Sequence, residues 1–170
     1  VECQEYLKSF IKENGCKNIL EIGMADGKSS IAILQALSGT EGSLTSIDPY
    51  QNSYWNNNGV NNIKNLNLDK NHTLIENYDY IALPQLLIKK QKYDLIFIDG
   101  SHIFDNVIHN NMYADLLLNV NGFIINDDMW MPAVQQAYNY IEKNYKNYIV
   151  YDDSNKRFTP VLKKTENRKY

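Results

Sequence analysis

Short apolar runs alternate along this chain with longer stretches in which apolar residues recur three and four positions apart. The short runs predict buried strands, and the three-and-four spacing predicts amphipathic helices. The predicted strands cover residues 18–23, 44–48, 72–76, 95–99, 123–126, 148–151 and 158–162. The predicted helices cover residues 1–15, 28–37, 81–89, 104–117 and 133–141.

Strands that alternate with helices imply a parallel sheet with right-handed crossovers. The last two strands are joined without a helix, which predicts a hairpin and an antiparallel final strand. The pattern therefore predicts one α/β domain over residues 1–170. Its fold is a Rossmann-like, doubly wound and mostly parallel seven-stranded sheet with helices on both faces. The Asn-rich segment 49–71 is predicted to be irregular or partly helical, and its place after the second strand suggests a lid over a bound acceptor.

Charge and cysteine content narrow the functional classes. The net charge is −3 and the basic residues are scattered, which argues against a nucleic-acid partner. Cys3 and Cys16 fit neither a zinc pair nor a disulfide framework, so free thiols in a reducing, cytoplasmic location are expected. The sequence contains no apolar stretch of transmembrane length and predicts no membrane partner. A homo-oligomer is left open.

The fourth and fifth predicted strands each lead into a cluster of polar, mostly acidic residues. Asp99 ends the fourth strand, His102 follows three residues later, and Asp127 and Asp128 end the fifth strand. The carboxyl ends of parallel strands meet at the edge where open α/β sheets bind ligands. Carboxylates gathered there suit Mg²⁺, Mn²⁺ or Ca²⁺ better than zinc, with the imidazole beside them as a base. The alternative is that one of the paired acids caps the following helix.

A glycine turn follows the first strand. Residues 21–27 read Glu-Ile-Gly-Met-Ala-Asp-Gly, and Asp48 ends the next strand about 25 residues after Gly23. Glycines allow the backbone to approach a ligand closely, and an acid at the second strand end accepts hydrogen bonds from ribose hydroxyls. Because Met24, Ala25 and Asp26 fill the middle of the turn, the dinucleotide pattern is absent.

These residues resemble class I S-adenosylmethionine-dependent methyltransferases. The 93–102 and 122–130 segments resemble, more narrowly, the small O-methyltransferases related to macrocin, mycinamicin-sugar and catechol O-methyltransferases. The resemblance implies that S-adenosylmethionine is the methyl donor. The residues that it assigns to donor binding are Glu21, Gly23, Met24, Ala25, Gly27, Ser29, Asp48, Asp79 and Asp99. That family often has Gly-Asp where this chain has Asn77-Tyr78-Asp79, so Tyr78 departs from the pattern beside the adenine-side contact Asp79.

The resemblance also implies the catalytic roles. It assigns Asp99, Asp127 and Asp128 as ligands of Mg²⁺, or of Mn²⁺ or Ca²⁺, and His102 as the base that takes the acceptor's hydroxyl proton. Trp130 and Trp55 are the candidate acceptor contacts. The sugar-modifying relatives favour a sugar, glycoside or other polyhydroxylated small molecule, with a catechol-like phenol second.

Two further functional classes share parts of this pattern. A nicotinamide-dependent oxidoreductase has the same sheet and an acid equivalent to Asp48, but it requires the glycine fingerprint and leaves the acid cluster unexplained. A non-catalytic nucleoside-binding domain would keep the fold without the chemistry. Binding of S-adenosylmethionine rather than NAD would distinguish an O-methyltransferase from the nicotinamide-dependent oxidoreductase.

Overall fold

Seven strands form one sheet in the computed structural model, which describes residues 2–154 and 160–169. The strands are β1 (Asn18–Ile22), β2 (Ser43–Ile47), β3 (His72–Ile75), β4 (Tyr93–Ile98), β5 (Leu118–Asn126), β6 (Tyr148–Asp152) and β7 (Val161–Lys164). The helices are α1 (Glu2–Asn14), α2 (Lys28–Leu37), α3 (Asn58–Asn65), α4 (Asp79–Ile88), α5 (Phe104–Leu117) and α6 (Pro132–Asn144), with a 3₁₀ turn at Asp69–Asn71.

The strand order is β3-β2-β1-β4-β5-β7-β6. Strands β1 to β5 pair in parallel, and β7 pairs antiparallel to both β5 and β6. The predicted sheet and its antiparallel final strand are therefore confirmed. The order reverses between β1 and β4, and ligands of open α/β sheets bind at this switch point, outside the carboxyl ends of the strands.

The core lies on both faces of the sheet. One face packs residues such as Leu83, Val107 and Ala137 from α4, α5 and α6. The other face packs Leu7 of α1, Ile33 of α2 and Ile63 of α3. The central strand β4 is buried on both faces, which explains why its sequence is a continuous apolar run rather than an alternating one.

Strand β5 differs from the prediction at its start. It begins at Leu118, directly after α5, whereas the sequence pattern predicts a turn at Asn121 and Gly122 before a strand from residue 123. A Cβ at Gly122 would lie 2.9 Å from the carbonyl oxygen of Asp94, so this glycine permits close packing against β4 at an irregularity in the register. The sequence predicted a turn here because glycine is typical both of turns and of strand positions where two backbones pack closely.

Two other predicted segments have different outcomes. The 49–71 segment contains the helix α3 and the 3₁₀ turn, in agreement with a partly helical excursion. In the predicted last strand, residues 158 and 159 lie outside the described part of the chain, and the observed strand continues to Lys164. No helix in the described ranges is long and apolar enough to cross a membrane.

Candidate active site

The glycine turn brings the end of β1 against the end of β4. Gly23 has φ +90°, and a Cβ there would overlap the carbonyl group of Asp99 and would lie 2.8 Å from Cα of Gly100. Gly27 has φ +81° and precedes the first turn of α2. Both positions favour glycine because side chains rarely adopt this conformation. Gly23 is therefore required for the close contact between the two strand ends that border the switch point.

Asp48 holds the same turn from the β2 side. Its Oδ2 accepts hydrogen bonds from the backbone N–H groups of Met24 (3.1 Å) and Ala25 (2.8 Å), and its Oδ1 accepts one from the N–H of Tyr50 (2.8 Å). A carboxylate has about four acceptor sites, so the Oδ1 atom can still accept a ligand hydroxyl. Asp48 thus orders the turn and also faces the pocket described next.

A pocket of about 550 Å³ lies outside the carboxyl ends of β1, β2 and β4. Pockets of 300–1,000 Å³ are typical of small-molecule sites. Five of the predicted donor-binding residues line it, namely Gly23, Ala25, Asp48, Asp79 and Asp99. The other four, Glu21, Met24, Gly27 and Ser29, are not among its lining residues. Met24 is buried in the core beneath the turn.

Aromatic side chains form the rim of the pocket on the β2 and β3 side. Tyr50 and Trp55 come from the segment after β2, and Tyr78 and Tyr80 flank Asp79 at the start of α4. The rings of Tyr78 and Tyr80 stack with centroids 5.2 Å apart, and a hydrogen bond with Tyr78 raises the pKa of Tyr50 above its usual value. Sequence reasoning missed Tyr78 and Tyr80, although two tyrosines around a predicted ligand contact are a detectable signal.

Glu21 lies behind the turn rather than in the pocket wall. Its side chain is fully buried and accepts hydrogen bonds from three hydroxyls, those of Ser29, Ser30 and Ser46. Burial raises the pKa of Glu21, and the three hydroxyl donors lower it in part. Two of these serines, Ser29 and Ser30, lie in the first turn of α2, so Glu21 holds that helix against β1. Glu21 does not line the pocket and influences it only by positioning the glycine turn between β1 and α2.

His72 extends this buried network to β3. Its Nε2 lies 3.0 Å from Oγ of Ser46, whose own proton is donated to Glu21, so the neutral imidazole is the donor. Burial lowers the pKa of His72 from 6.5 to about 4, with a smaller opposing effect of Asp69. This partner could not be predicted from the sequence, because Ser46 lies on the neighbouring strand β2.

This pKa predicts a loss of stability in acid. Between pH 6.5 and about 4 the unfolded chain binds a proton at His72 that the folded chain does not, so the free energy of unfolding falls as the pH falls through this window. The full effect is about 3 kcal/mol. We expect urea unfolding at pH 7 and pH 4.5 to show a smaller acid loss for His72→Gln than for the unsubstituted chain. Equal losses in the two proteins would contradict the burial of a neutral imidazole.

The second half of the site is a cluster of two acids and one imidazole. One ligand atom each from Asp99, His102 and Asp128 lies within 4.8 Å of the others. Nε2 of His102 is 2.9 Å from Oδ2 of Asp128, and within the described ranges this buried nitrogen has no hydrogen-bond partner. The close approach is therefore not aligned as a hydrogen bond. A buried nitrogen beside two carboxylates can accept a proton or bind a cation.

The other residues predicted for this end are placed differently. Asp127 is buried, its Oδ1 accepts a hydrogen bond from the backbone N–H of Asp128 (2.6 Å), and it is not one of the three converging residues. Trp130 is 65% exposed, and its indole N–H donates to Oδ1 of Asp128 (2.9 Å). Trp55 lines the pocket, and Trp130 is not among the pocket's lining residues.

Asp99 belongs to both halves of the site. It lines the pocket and is one of the three residues of the cluster. The strand pairing explains this position, because β4 lies between β1, which carries the glycine turn, and β5, which leads to Asp128. A ligand in the pocket and a ligand at the cluster would meet at this carboxylate.

A family model described as a methyltransferase domain matches residues 20–129. The chain belongs to this methyltransferase family. The matched region begins within β1 and ends one residue after Asp128, so it contains the glycine turn, Asp48 and the whole acid cluster. The class I resemblance predicted from the sequence is confirmed, and the curated proteins contain no match to this methyltransferase chain.

Solved methyltransferases share the fold. An O-methyltransferase of Bacillus cereus, in complex with S-adenosylhomocysteine, is 19% identical with a TM-score of 0.78, over 94% of this chain and 78% of that one. The O-methyltransferase TomG of Streptomyces achromogenes, involved in tomaymycin synthesis and bound to S-adenosylmethionine, is 16% identical with a TM-score of 0.78, over 96% and 79%. A methyltransferase of Podospora anserina bound to S-adenosylhomocysteine is 17% identical with a TM-score of 0.79, over 96% and 78%.

Proposed function

We propose that this protein is an S-adenosylmethionine-dependent O-methyltransferase that uses a divalent cation and acts on a hydroxyl of a sugar or another small polyhydroxylated molecule. One observation carries the proposal. Asp99 lines a pocket of nucleoside size and also belongs to the cluster of acids and imidazole. The family match and the bound ligands of the structural neighbours support the donor assignment.

The donor is proposed to lie in the 550 Å³ pocket. Oδ1 of Asp48 accepts from the ribose hydroxyls, and the stacked Tyr78 and Tyr80 offer flat faces beside Asp79 for the base. Gly23, which lines this pocket, lies in close contact with the backbone of Asp99 and Gly100 at the switch point. The carboxylates of Asp48, Asp79 and Asp99 suit a cationic sulfonium and an amino group better than a pyrophosphate.

The acid cluster fits a hard divalent cation. It offers one oxygen each from the carboxylates of Asp99 and Asp128, and these lie within 4.8 Å of each other and of the His102 imidazole beside them. Asp99 and Asp128 are the proposed carboxylate ligands, and Asp127 is kept as a third candidate. When bound, the cation supplies Lewis-acid polarisation that lowers the pKa of an acceptor hydroxyl.

His102 is the proposed general base. Its side chain is 34% exposed at the edge of the cluster although Nε2 is buried beside Asp128, so the part of the ring away from Nε2 is open to an acceptor hydroxyl. As the acceptor oxygen forms a bond to the methyl carbon, the sulfur–carbon bond breaks, the donor leaves as S-adenosylhomocysteine, and the imidazole takes the hydroxyl proton. The carboxylate of Asp128, 2.9 Å away, stabilises the resulting imidazolium.

The acceptor is proposed to lie against Trp130. The indole ring is exposed, and its hydrogen bond to Asp128 orients it beside the cluster. Such a face packs against the apolar side of a sugar ring or against a phenol. The 49–71 segment is the proposed lid, because Tyr50 and Trp55 reach the pocket rim while Gln51 donates to the carbonyl of Ala25 (2.6 Å).

A methyl-transfer screen tests the function. The protein is incubated with labelled S-adenosylmethionine and nucleotide sugars, glycosides or catechols, with Mg²⁺ or with EDTA. We expect methylation of a hydroxylated acceptor in Mg²⁺ and loss of it in EDTA. Calorimetry with S-adenosylhomocysteine and NAD completes the test. Binding of NAD in place of S-adenosylhomocysteine would support the oxidoreductase class and overturn the proposal.

The cation assignment predicts a defect in Asp128→Asn. Loss of an outer-shell partner of a metal ligand costs about 10–100-fold in metal affinity, so loss of a ligand carboxylate should weaken Mn²⁺ binding by at least that factor. Titration of Mn²⁺ followed by electron paramagnetic resonance measures it. The matched control is Asp105→Asn, an exposed acid in the first turn of α5, which should bind Mn²⁺ normally. Equal affinities of the two variants would contradict the assignment.

A further inference from the structure

Two buried asparagines link the elements that carry the cation cluster. Nδ2 of Asn111 donates to Oδ1 of Asn126 (2.9 Å), and Nδ2 of Asn126 donates back to Oδ1 of Asn111 (3.2 Å). Asn111 is fully buried and Asn126 is 2% exposed. The second N–H of Asn111 is also used, because its Nδ2 donates to the carbonyl oxygen of Val107 (2.9 Å).

The asparagine pair lies between the segment that carries His102 and the segment that carries Asp128. Asn126 is the last residue of β5 and pairs with Ile98 in the last register position between β4 and β5. Beyond it, Asp127 donates one backbone hydrogen bond to Ile98, and Asp128 follows. Asn111 lies on α5, which begins at Phe104, two residues after His102. The amide pair therefore joins the helix that follows His102 directly to the strand that precedes Asp128.

The buried space at positions 111 and 126 does not require amide side chains, because apolar side chains could fill it. The neighbouring residues Ile124 and Ile125 of β5 are apolar and fully buried. A leucine pair of similar size would fill the same space without removing polar groups from water. A reciprocal amide pair adds direction, because both of its hydrogen bonds are satisfied in one relative orientation of helix and strand.

We infer that Asn111 and Asn126 are positioning residues for the cation site. They fix the relative orientation of the His102 side and the Asp128 side, and neither of them is among the residues of the cluster. This inference rests on the proposed function, since it assumes that the cluster binds a cation. It assigns to the pair the task of holding a metal site preorganised, which outer-shell groups perform in many metalloproteins.

The experiment separates orientation from stability. In Asn126→Leu alone, the buried amide of Asn111 loses its partner, so the protein should be destabilised. In the double variant Asn111→Leu/Asn126→Leu, both partners are apolar and stability should be near that of the unsubstituted chain. We expect the double variant to bind Mn²⁺ about 10–100-fold more weakly, measured by electron paramagnetic resonance, while calorimetry shows unchanged affinity for S-adenosylhomocysteine.

The chain offers a matched control in Asn110. It is fully buried on the same helix, its Nδ2 has no partner among the described residues, and its Oδ1 is 3.4 Å from Nδ1 of His109. Asn110→Leu should bind Mn²⁺ as tightly as the unsubstituted protein. A double-leucine variant that melts normally and also binds Mn²⁺ normally would overturn the positioning role. If the single variant does not fold, the double variant and the control still decide the result.

Failure of the proposed function has a different signature. If the unsubstituted protein binds S-adenosylhomocysteine but no Mn²⁺, the cation assignment is wrong and the inference falls with it. If the unsubstituted protein binds both ligands and the double variant also binds both, the function stands and the positioning role alone is wrong.

Discussion

His102→Gln is expected to lower kcat by about 10²–10⁴-fold while the affinity for S-adenosylhomocysteine is unchanged. Glutamine keeps polar atoms at the position but cannot take a proton near neutral pH. The donor pocket does not include His102, so donor binding should not respond. Steady-state kinetics on an acceptor found in the screen, with calorimetry for the donor product, measure the two effects.

The same variant distinguishes a base from a metal ligand. If His102 acts only as the base, Mn²⁺ affinity should stay within about threefold, which corresponds to less than 1 kcal/mol. The control is His109→Gln, whose half-buried ring packs against Tyr113 on α5 with centroids 4.8 Å apart and should have normal kcat. Unchanged kcat in His102→Gln would refute the base assignment. A parallel loss of Mn²⁺ binding would instead make His102 a ligand.

Gly23→Ala is expected to abolish donor binding and to destabilise the fold. A left-handed conformation costs a non-glycine residue about 1–3 kcal/mol. The new Cβ would also overlap the carbonyl group of Asp99, and overpacking of this kind costs a further about 1–3 kcal/mol. These costs are a large share of a typical total stability of about 5–15 kcal/mol. Separation of the two strand ends would also displace Asp99, which both halves of the site share.

Gly39→Ala separates these two costs. Gly39 also has a positive φ, +79°, but a Cβ there would meet nothing within 4 Å. It should show the conformational cost alone and should bind S-adenosylhomocysteine normally. Thermal unfolding and calorimetry on the two variants measure the difference. If Gly23→Ala resembles Gly39→Ala in both measurements, the close contact of β1 with β4 does not maintain the pocket.

The sequence determined the order of elements, because apolar periodicity depends on neighbouring residues. It also determined that acids stand at three strand ends, those of β2, β4 and β5, and a glycine turn at a fourth, that of β1. The carboxyl ends of parallel strands share one edge of the sheet, so the sequence predicted Asp48, Asp99, Asp127 and Asp128 at one site. In the structure Asp48 and Asp99 line the pocket, and Asp99 and Asp128 belong to the cluster. The family match covers these positions and supports the same interpretation.

Only the tertiary structure decided what each side chain faces. Glu21 and Asp48 are both acids near the glycine turn, but Glu21 is enclosed by three serine hydroxyls and Asp48 lines the pocket. Asp127 and Asp128 are adjacent, but only Asp128 joins Asp99 and His102. The pairing of Asn111 with Asn126 and of His72 with Ser46 also required the fold. Local sequence fixes where a strand ends, whereas the orientation of a side chain at that end depends on residues brought beside it from distant parts of the chain.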